Sequence, residues 1–486
     1  MSDEITNKTI ETIDLDRDVR IDPAWALRIP AALAMRRLAL PLCSFGGEVA
    51  VAMADPADGS AIEAIARAAG RPVRVYRAPA EQIKTHLLRV FGDTRKTQQQ
   101  AQTQPDDPIA QADEILRAAA LRNASDIHLD PGRDGLRTRL RVDGILEDLA
   151  LVPLAQQAAL TSRFKIMAGL DIAEKRAPQD GAFNWQASDI RVATMPVKFG
   201  EKITLRLLDA AREKLTLDRL GLSDPQRARF ERVLARPHGL ALITGPTGSG
   251  KTTTLYAAIR QLLAGAPLNI ITVENPIEYE IRGVAQVEID TADKVNFTKA
   301  LRGILRHDPD VVMIGEIRDA ESLDTAVKAA LTGHLVLSTL HANDAAGAVT
   351  RMLDMGLEPH LAAATLRLSA AQRLARRLCP ACRRPAELTA EEAAAAGMPE
   401  LAGRTAYKPV GCLACAGRGY DGRTGLFELM APDAEIASMI AARATAADIA
   451  ARLRAKGEPD LRDEAARKIL AGETTAAEAA RLILDV

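Results

Sequence analysis

The chain has 486 residues, of which 47% are hydrophobic and 26% charged, the make-up of a globular protein of roughly two to four domains. That balance excludes wholesale disorder, a collagen repeat and a disulfide scaffold. Lys and Arg number 63 against 64 Asp and Glu, a net charge of -1, and aromatic residues are only 3%. Neither the basic excess of a phosphate-backbone binder nor the rings that stack single strands are present, so no nucleic-acid partner is expected. No apolar run reaches bilayer length: Ala31 to Met35 is cut short by Arg36 and Arg37. The acidic start Met1-Ser2-Asp3-Glu4 has no apolar core behind it. The expectation is a cytoplasmic protein whose cysteines stay reduced and whose membrane role, if any, runs through partner proteins.

In chain order, residues 1–95 read as a small α/β domain. Val49 to Met53 is an apolar run, Asp55-Pro56 a turn and Ser60 to Ala69 a helix, broken by Gly70-Arg71-Pro72. The glutamine-rich stretch 97–105 marks a linker over 96–107. A second, α+β domain follows over 108–215, with a helix from Ala112 to Leu121 and a strand from Asp126 to Leu129. Leu136 to Val142 alternates at period two, turning Arg137, Arg139 and Arg141 to the face opposite Leu136, Thr138, Leu140 and Val142. Asp143-Gly144 supplies a hairpin turn, and strands are expected over Ile190–Thr194 and Lys202–Leu207. From 216 to 486 the pattern becomes α/β. Leu240–Thr244, Ile270–Val273, Val311–Ile314 and Leu335–Thr339 are continuous apolar runs, as in parallel strands covered by helices on both faces. Text beyond Leu388 reads as Ala-rich helix around a cysteine insertion at 379–415.

Gly245-Pro246-Thr247-Gly248-Ser249-Gly250-Lys251-Thr252 is a complete P-loop pattern, placed between a strand and a helix that runs from Thr253 to Leu263. Backbone N–H groups from Gly245 through Thr253 would cradle the phosphates of ATP, Lys251 would reach the outer two, and the Thr252 hydroxyl would ligate Mg²⁺. Three later strands end in polar residues, where an open α/β sheet collects its ligands. Glu274 follows the first and suits an attacking water. Glu316 follows the second and suits Mg²⁺ or water. His341 follows the third and His334 precedes it, both placed to sense the γ-phosphate.

Cys379-Pro380-Ala381-Cys382 and Cys412-Leu413-Ala414-Cys415 are two Cys-x-x-Cys pairs. Four thiolates at these spacings close a tetrahedral structural Zn²⁺ site, with a redox pair or idle cysteines as the alternatives. Cys43, in an apolar run, reads as a small core residue. The arginine row of 136–142 is either a solvated sheet face or a set of guanidinium groups for a γ-phosphate.

Glu274-x-Pro276-x-Glu278, Arg306-x-Asp308-Pro309-Asp310, Gly315 to Asp319, and Thr332-Gly333-His334 through Ser338 to His341 resemble the aspartate box, Walker B region and histidine box of the type II/type IV secretion ATPases. Upstream, Ser125 to Leu129, Val142-Asp143-Gly144 and Met167 to Glu174 resemble that family's second N-terminal domain. The resemblance implies a RecA-like P-loop ATPase domain with preceding α+β N-terminal domains and a small zinc-binding subdomain. It further implies a homo-hexameric, Mg-dependent motor for type II secretion that drives pseudopilus assembly, with type IV pilus assembly ATPases as the nearest alternative. On the same ground residues 1–95 are expected to dock the cytoplasmic domain of an inner-membrane secretion protein, and the ring to act on a polytopic platform protein. Water activation falls to Glu274, and Arg137, Arg141 and Arg206 are expected to meet the γ-phosphate on domain closure. The family's aspartate box has Asp where this chain has Asn275.

Overall fold

The structure is a computed structural model, and it describes residues 10–92, 107–186, 188–208, 215–289 and 297–483. The polar stretch 97–105 lies outside the described residues. The chain groups into two units. The first is Met1–Asp209 together with Leu378–Arg384 and Lys408–Gly422; the second comprises Ala210–Arg377, Pro385–Tyr407 and Arg423–Val486. No described helix is long and apolar enough to cross a membrane.

The first unit carries two sheets. In one, β1 (Ala39–Phe45) pairs antiparallel with β2 (Glu48–Met53), and β2 pairs parallel with β3 (Val73–Arg77). The helix Gly59–Ala69 makes the crossover. Asp58 caps its first turn by accepting from Ala61 N–H at 3.0 Å, and Gly70 ends it at φ +67°. Cys43 is fully buried on β1, as its apolar setting predicts, and burial pushes its thiol up to about 12.

The other sheet runs β6-β5-β4-β9-β8-β7. Its strands are β4 (Asp126–Pro131), β5 (Gly135–Val142), β6 (Ile145–Pro153), β7 (Gln179–Trp185), β8 (Ser188–Val197) and β9 (Gly200–Leu207). Asp143 and Gly144, at φ +48° and +87°, form the turn that registers Val142 against Ile145. Leu136, Thr138, Leu140 and Val142 are buried while Arg137 is exposed, so the period-two pattern sets the faces. The buried pair Lys165–Glu201, 2.7 Å apart, also ties the helix Leu154–Met167 to the carbonyl of Glu174 at 2.6 Å.

The second unit is built on a seven-stranded sheet, ordered β12-β11-β13-β14-β10-β15-β18. These strands are β10 (Gly239–Thr244), β11 (Ile270–Glu274), β12 (Ala285–Glu288), β13 (Val311–Ile314), β14 (Leu335–Leu340), β15 (Leu366–Leu378) and β18 (Tyr420–Met430). Two short strands, β16 (Arg384–Glu387) and β17 (Thr405–Lys408), pair apart from it. All residues of β10, β11, β13 and β14 are buried, and neighbouring strands among β10 to β15 pair parallel. Two central-sheet strands go beyond the sequence-based reading: β18 forms where Ala-rich helix is expected, and β15 forms where no element is expected. β15 reads Leu-Arg-Leu-Ser-Ala-Ala-Gln-Arg-Leu-Ala-Arg-Arg-Leu, a string of good helix formers. Burial between β10 and β18 overrides that propensity.

Glu428 is buried on β18, where Ala345 N–H donates to it at 3.0 Å. Burial, with Asp344 and Asp460 adding to it, pushes its carboxyl up to about 7. A carboxyl raised by folding is fully compatible with the fold while protonated, and costs stability as pH climbs through its folded pKa. Glu428→Gln keeps an oxygen for Ala345 N–H. Its thermal midpoint should exceed the parent's by more at pH 8 than at pH 5, and an equal difference at both pH values would contradict this.

Candidate functional site

The P-loop leaves β10 at Thr244 and enters the helix Lys251–Gly265. A Cβ on Gly245 would stand 2.5 Å from the Gln372 carbonyl oxygen, and one on Gly250 2.9 Å from Gln372 Nε2, so only glycine lets the loop lie on β15. Pro246, Thr247 and Gly248 are exposed, Lys251, Thr252 and Thr253 are half-buried, and Ser249 is buried. Lys251 Nζ donates to the carbonyls of Gly245 at 2.8 Å and Pro246 at 3.0 Å, bridging the loop it belongs to. Burial holds this ammonium below its ordinary value; the Glu316 carboxylate opposes the shift and Arg373 adds to it.

Gln372 and Arg373 form the floor of this loop, and sequence reasoning missed both along with their strand. Gln372 is 2% exposed and its Oε1 accepts from Thr254 Oγ1 at 2.8 Å. Arg373 is buried and donates to Gln372 O at 3.1 Å and to Asn343 O at 2.8 Å, joining the P-loop floor to the loop after β14. Burial lowers its pKa, with Glu428 and Asp344 opposing. The available signal was a Gln-Arg pair set between Ala370-Ala371 and Leu374-Ala375.

The carboxylates stand at neighbouring strand tips. Gly315 N–H donates to Val273 O at 2.8 Å, and a Cβ on Gly315 would approach Glu274 Cα at 3.5 Å. Glu274 is 2% exposed. Its Oε1 accepts from Thr272 Oγ1 at 2.7 Å and Gln286 Nε2 at 3.1 Å, and its Oε2 accepts from the Tyr256 hydroxyl. In this conformation both carboxylate oxygens are engaged by the protein. Burial and the nearby Glu274 carboxylate push the Tyr256 hydroxyl well above its ordinary value, so it remains a donor. Glu316 accepts from Arg318, and His341 Nε2 lies 3.8 Å from its other oxygen. Asn275, at the position where an Asp was expected, is exposed and precedes Pro276 through a cis peptide.

Not every motif residue reaches this end of the sheet. His334 sits at the start of β14, where its carbonyl accepts from Gly239 N–H at 3.1 Å and its Nδ1 lies 2.9 Å from Ala329 O. A six-residue strand separates it from the P-loop end, about 20 Å at the rise of an extended chain. The expectation that His334 shares the pocket is corrected on that ground. The Arg306 to Asp310 motif lies at the same far end: Asn269 Nδ2 donates to the carbonyls of His307 and Asp308 at 2.8 and 2.9 Å, and Asp310 accepts from Asn269 N–H at 2.7 Å. It braces β11 against β13.

The arginines belong to the first unit. Arg137 makes a two-pronged pair with Asp148 at 2.7 and 2.8 Å, Arg206 meets Asp126 at 3.2 Å, and Arg141 lies 3.7 Å from the same Asp126. Their side chains are one-third to three-fifths exposed, consistent with a solvated, carboxylate-balanced sheet face.

The four cysteines of the two pairs converge, with every Sγ within 4.8 Å of the others. Three Sγ separations are 3.9, 3.8 and 3.8 Å. The edge of a tetrahedron with metal–sulfur bonds of about 2.3 Å is about 3.8 Å, so the thiols fit zinc. Gly411 N–H donates to Cys382 Sγ at 3.3 Å, and Cys412 and Gly419 N–H donate to Cys415 Sγ at 3.3 and 3.2 Å. Donors aimed at sulfur favour the thiolate form that a metal requires.

Gln372→Leu leaves the buried Thr254 hydroxyl without an acceptor, a cost of about 1–3 kcal/mol, and frees the loop's floor. Its affinity for a fluorescent ATP analogue should fall about tenfold, a change of about 1.4 kcal/mol, and unchanged affinity would refute the assigned role.

The chain is similar to known proteins over most of its length. The family profile described as Type II/IV secretion system protein matches residues 101–481, and an MshEN domain profile matches residues 10–97. The chain is 39% identical to the Type IV pilus assembly ATPase PilB of Myxococcus xanthus, over 95% of this chain and 87% of that one. It is 45% identical to Type II secretion system protein E of Pseudomonas aeruginosa, over 80% of this chain and 78% of that one. Among solved structures, the pilus retraction motor PilT with bound ADP superposes with a TM-score of 0.54 at 27% identity, covering 76% of this chain and 96% of that one. The second unit is accordingly a RecA-like domain of the secretion ATPases. The chain belongs to the type II/IV secretion system protein family and is an ATP hydrolase of that family.

Proposed function

We propose that this chain is the cytoplasmic motor of a type II secretion system, a homo-hexamer that converts ATP hydrolysis into assembly of a pseudopilus. The observation that carries the reading is the convergence of the P-loop, Glu274 and Glu316 on one end of a parallel sheet, in a chain 45% identical to a Type II secretion system protein E. On nucleotide binding, Lys251 exchanges the carbonyls of Gly245 and Pro246 for the outer phosphate oxygens, and the N–H groups of the loop and helix start take the rest. Thr252 and Glu316 would hold Mg²⁺, which supplies neutralising charge for the phosphates. Glu274 leaves the Tyr256 hydroxyl to orient or deprotonate the attacking water. His341 steadies Glu316, and Arg137, Arg141 and Arg206 trade their carboxylates for the γ-phosphate when the N-terminal sheet closes on a nucleotide. Zinc on Cys379, Cys382, Cys412 and Cys415 is structural, because all four positions are filled by protein. Residues 1–95 dock the cytoplasmic domain of an inner-membrane protein, and the ring works on a polytopic platform protein.

A second reading, type IV pilus assembly, is favoured by one observation: the match to PilB extends over 95% of the chain, whereas that to the protein E relative spans 80%. Co-purification of the full chain with its membrane partner distinguishes the two.

Lys251→Ala should lower phosphate release at saturating ATP by about 100-fold or more while the protein stays folded by circular dichroism. Turnover equal to the parent's would place hydrolysis elsewhere.

A further inference from the structure

The cysteine cluster is far from the N-terminal sheets in sequence, yet its loop is fastened to both of them. Arg20 N–H donates to the Leu413 carbonyl at 3.0 Å, and the Arg20 guanidinium meets Asp421 at 2.8 Å. Ala416, 9% exposed, lies inside the hydrophobic core built on β1 to β3, with Leu413 packed against it. Gly417, at φ +77°, passes so close to β1 that a Cβ there would stand 2.2 Å from the Ser44 carbonyl oxygen. On the other side Arg418 lies 3.8 Å from Asp143, at the turn of the β5–β6 hairpin.

These contacts are interleaved with the metal-binding positions. Leu413 stands between Cys412 and Cys415, and Ala416, Gly417 and Arg418 follow at once. Two of the loop's bonds are short-range turns, Gly417 N–H donating to Cys412 O at 2.9 Å and Arg418 N–H to Cys415 O at 3.1 Å, and Cys379 N–H donates to Gly419 O at 3.0 Å, joining the two cysteine segments. A loop wound this tightly, with N–H groups aimed at sulfur, takes its shape from whatever holds the four sulfurs together.

We infer that the tetracysteine loop is a docking clamp for the N-terminal domain: the metal sets the 412–419 loop in the shape that receives Arg20, Ser44 and the β1 core. Its partner is residues 10–92 of the same chain. Losing the metal therefore undocks that domain while the P-loop pocket stays intact. The clamp rests on the zinc reading above, and the experiment separates the two.

The test is hydrogen–deuterium exchange on the full chain, with zinc content measured by elemental analysis on each sample. Stripping zinc with a chelator should speed exchange of the Arg20 amide, read in peptides spanning 17–24, by about tenfold or more. Peptides spanning 240–260 should not change. Arg20→Asp should give the same local deprotection with zinc fully retained, and adding Asp421→Arg should restore protection by reversing the ion pair. Parent protein that carries zinc but keeps its Arg20 protection after stripping overturns the clamp and leaves the zinc site standing. Arg20→Asp with unchanged exchange also overturns it. A parent that binds no zinc overturns both.

Discussion

A parallel sheet buried on both faces has room for polar groups only where each finds a partner inside the sheet or at its ends. The few polar residues inside this one obey that constraint by lashing strand tips together. Thr244 Oγ1 exchanges hydrogen bonds with the backbone of Ala342, each at 2.8 Å, and Ser338 and Thr339 donate to the carbonyls of Ile314 and Gly315, also at 2.8 Å. The tips of β10, β13 and β14 are thus held as one surface. On that surface lie the P-loop, Glu316 and His341, with Glu274 at the adjoining tip of β11. Gln372 and Arg373 extend the same logic to β15, whose polar pair supports the P-loop from below.

The P-loop end of the central sheet was legible because its signals are local. A strand, a glycine loop and a helix are contiguous in sequence, and continuous apolar runs mark β10, β11, β13 and β14 with boundaries within a residue or two. The hairpin at Asp143-Gly144 and the alternation of Leu136 to Val142 were readable for the same reason. What escaped was set by distant partners. β15 and β18 carry helix-forming or mixed text, and only their burial in the sheet makes them strands. His334 and His341 stand one strand apart in sequence, yet β14 carries them to opposite ends of the sheet. The bonds that engage Glu274 come from Tyr256 and Gln286, on other elements, and no pattern around residue 274 announces them.

In the first unit the same distinction holds. Spacing within each Cys-x-x-Cys pair spoke for zinc, and the thiols do converge. That their loop packs against β1 and lies beside the β5–β6 turn, rather than merely closing a local knot, depends on Arg20, Ser44 and Asp143, far upstream of any cysteine in the cluster. The arginines of the six-stranded sheet rest on Asp148 and Asp126. They form a charge-balanced face, and the phosphate contact proposed for them would require those carboxylates to be released.

The account turns on Glu274 reaching the terminal phosphate of a nucleotide seated in the 245–252 loop. A crystal structure of the full chain with Mg²⁺ and a non-hydrolysable ATP analogue tests this most directly. The account expects the phosphates to lie along the loop's N–H groups, with Glu274 off the Tyr256 hydroxyl and hydrogen-bonded to a water in line with the γ-phosphorus. Nucleotide in that loop with Glu274 still held by Tyr256 and turned from the γ-phosphate, or nucleotide bound elsewhere, would contradict it.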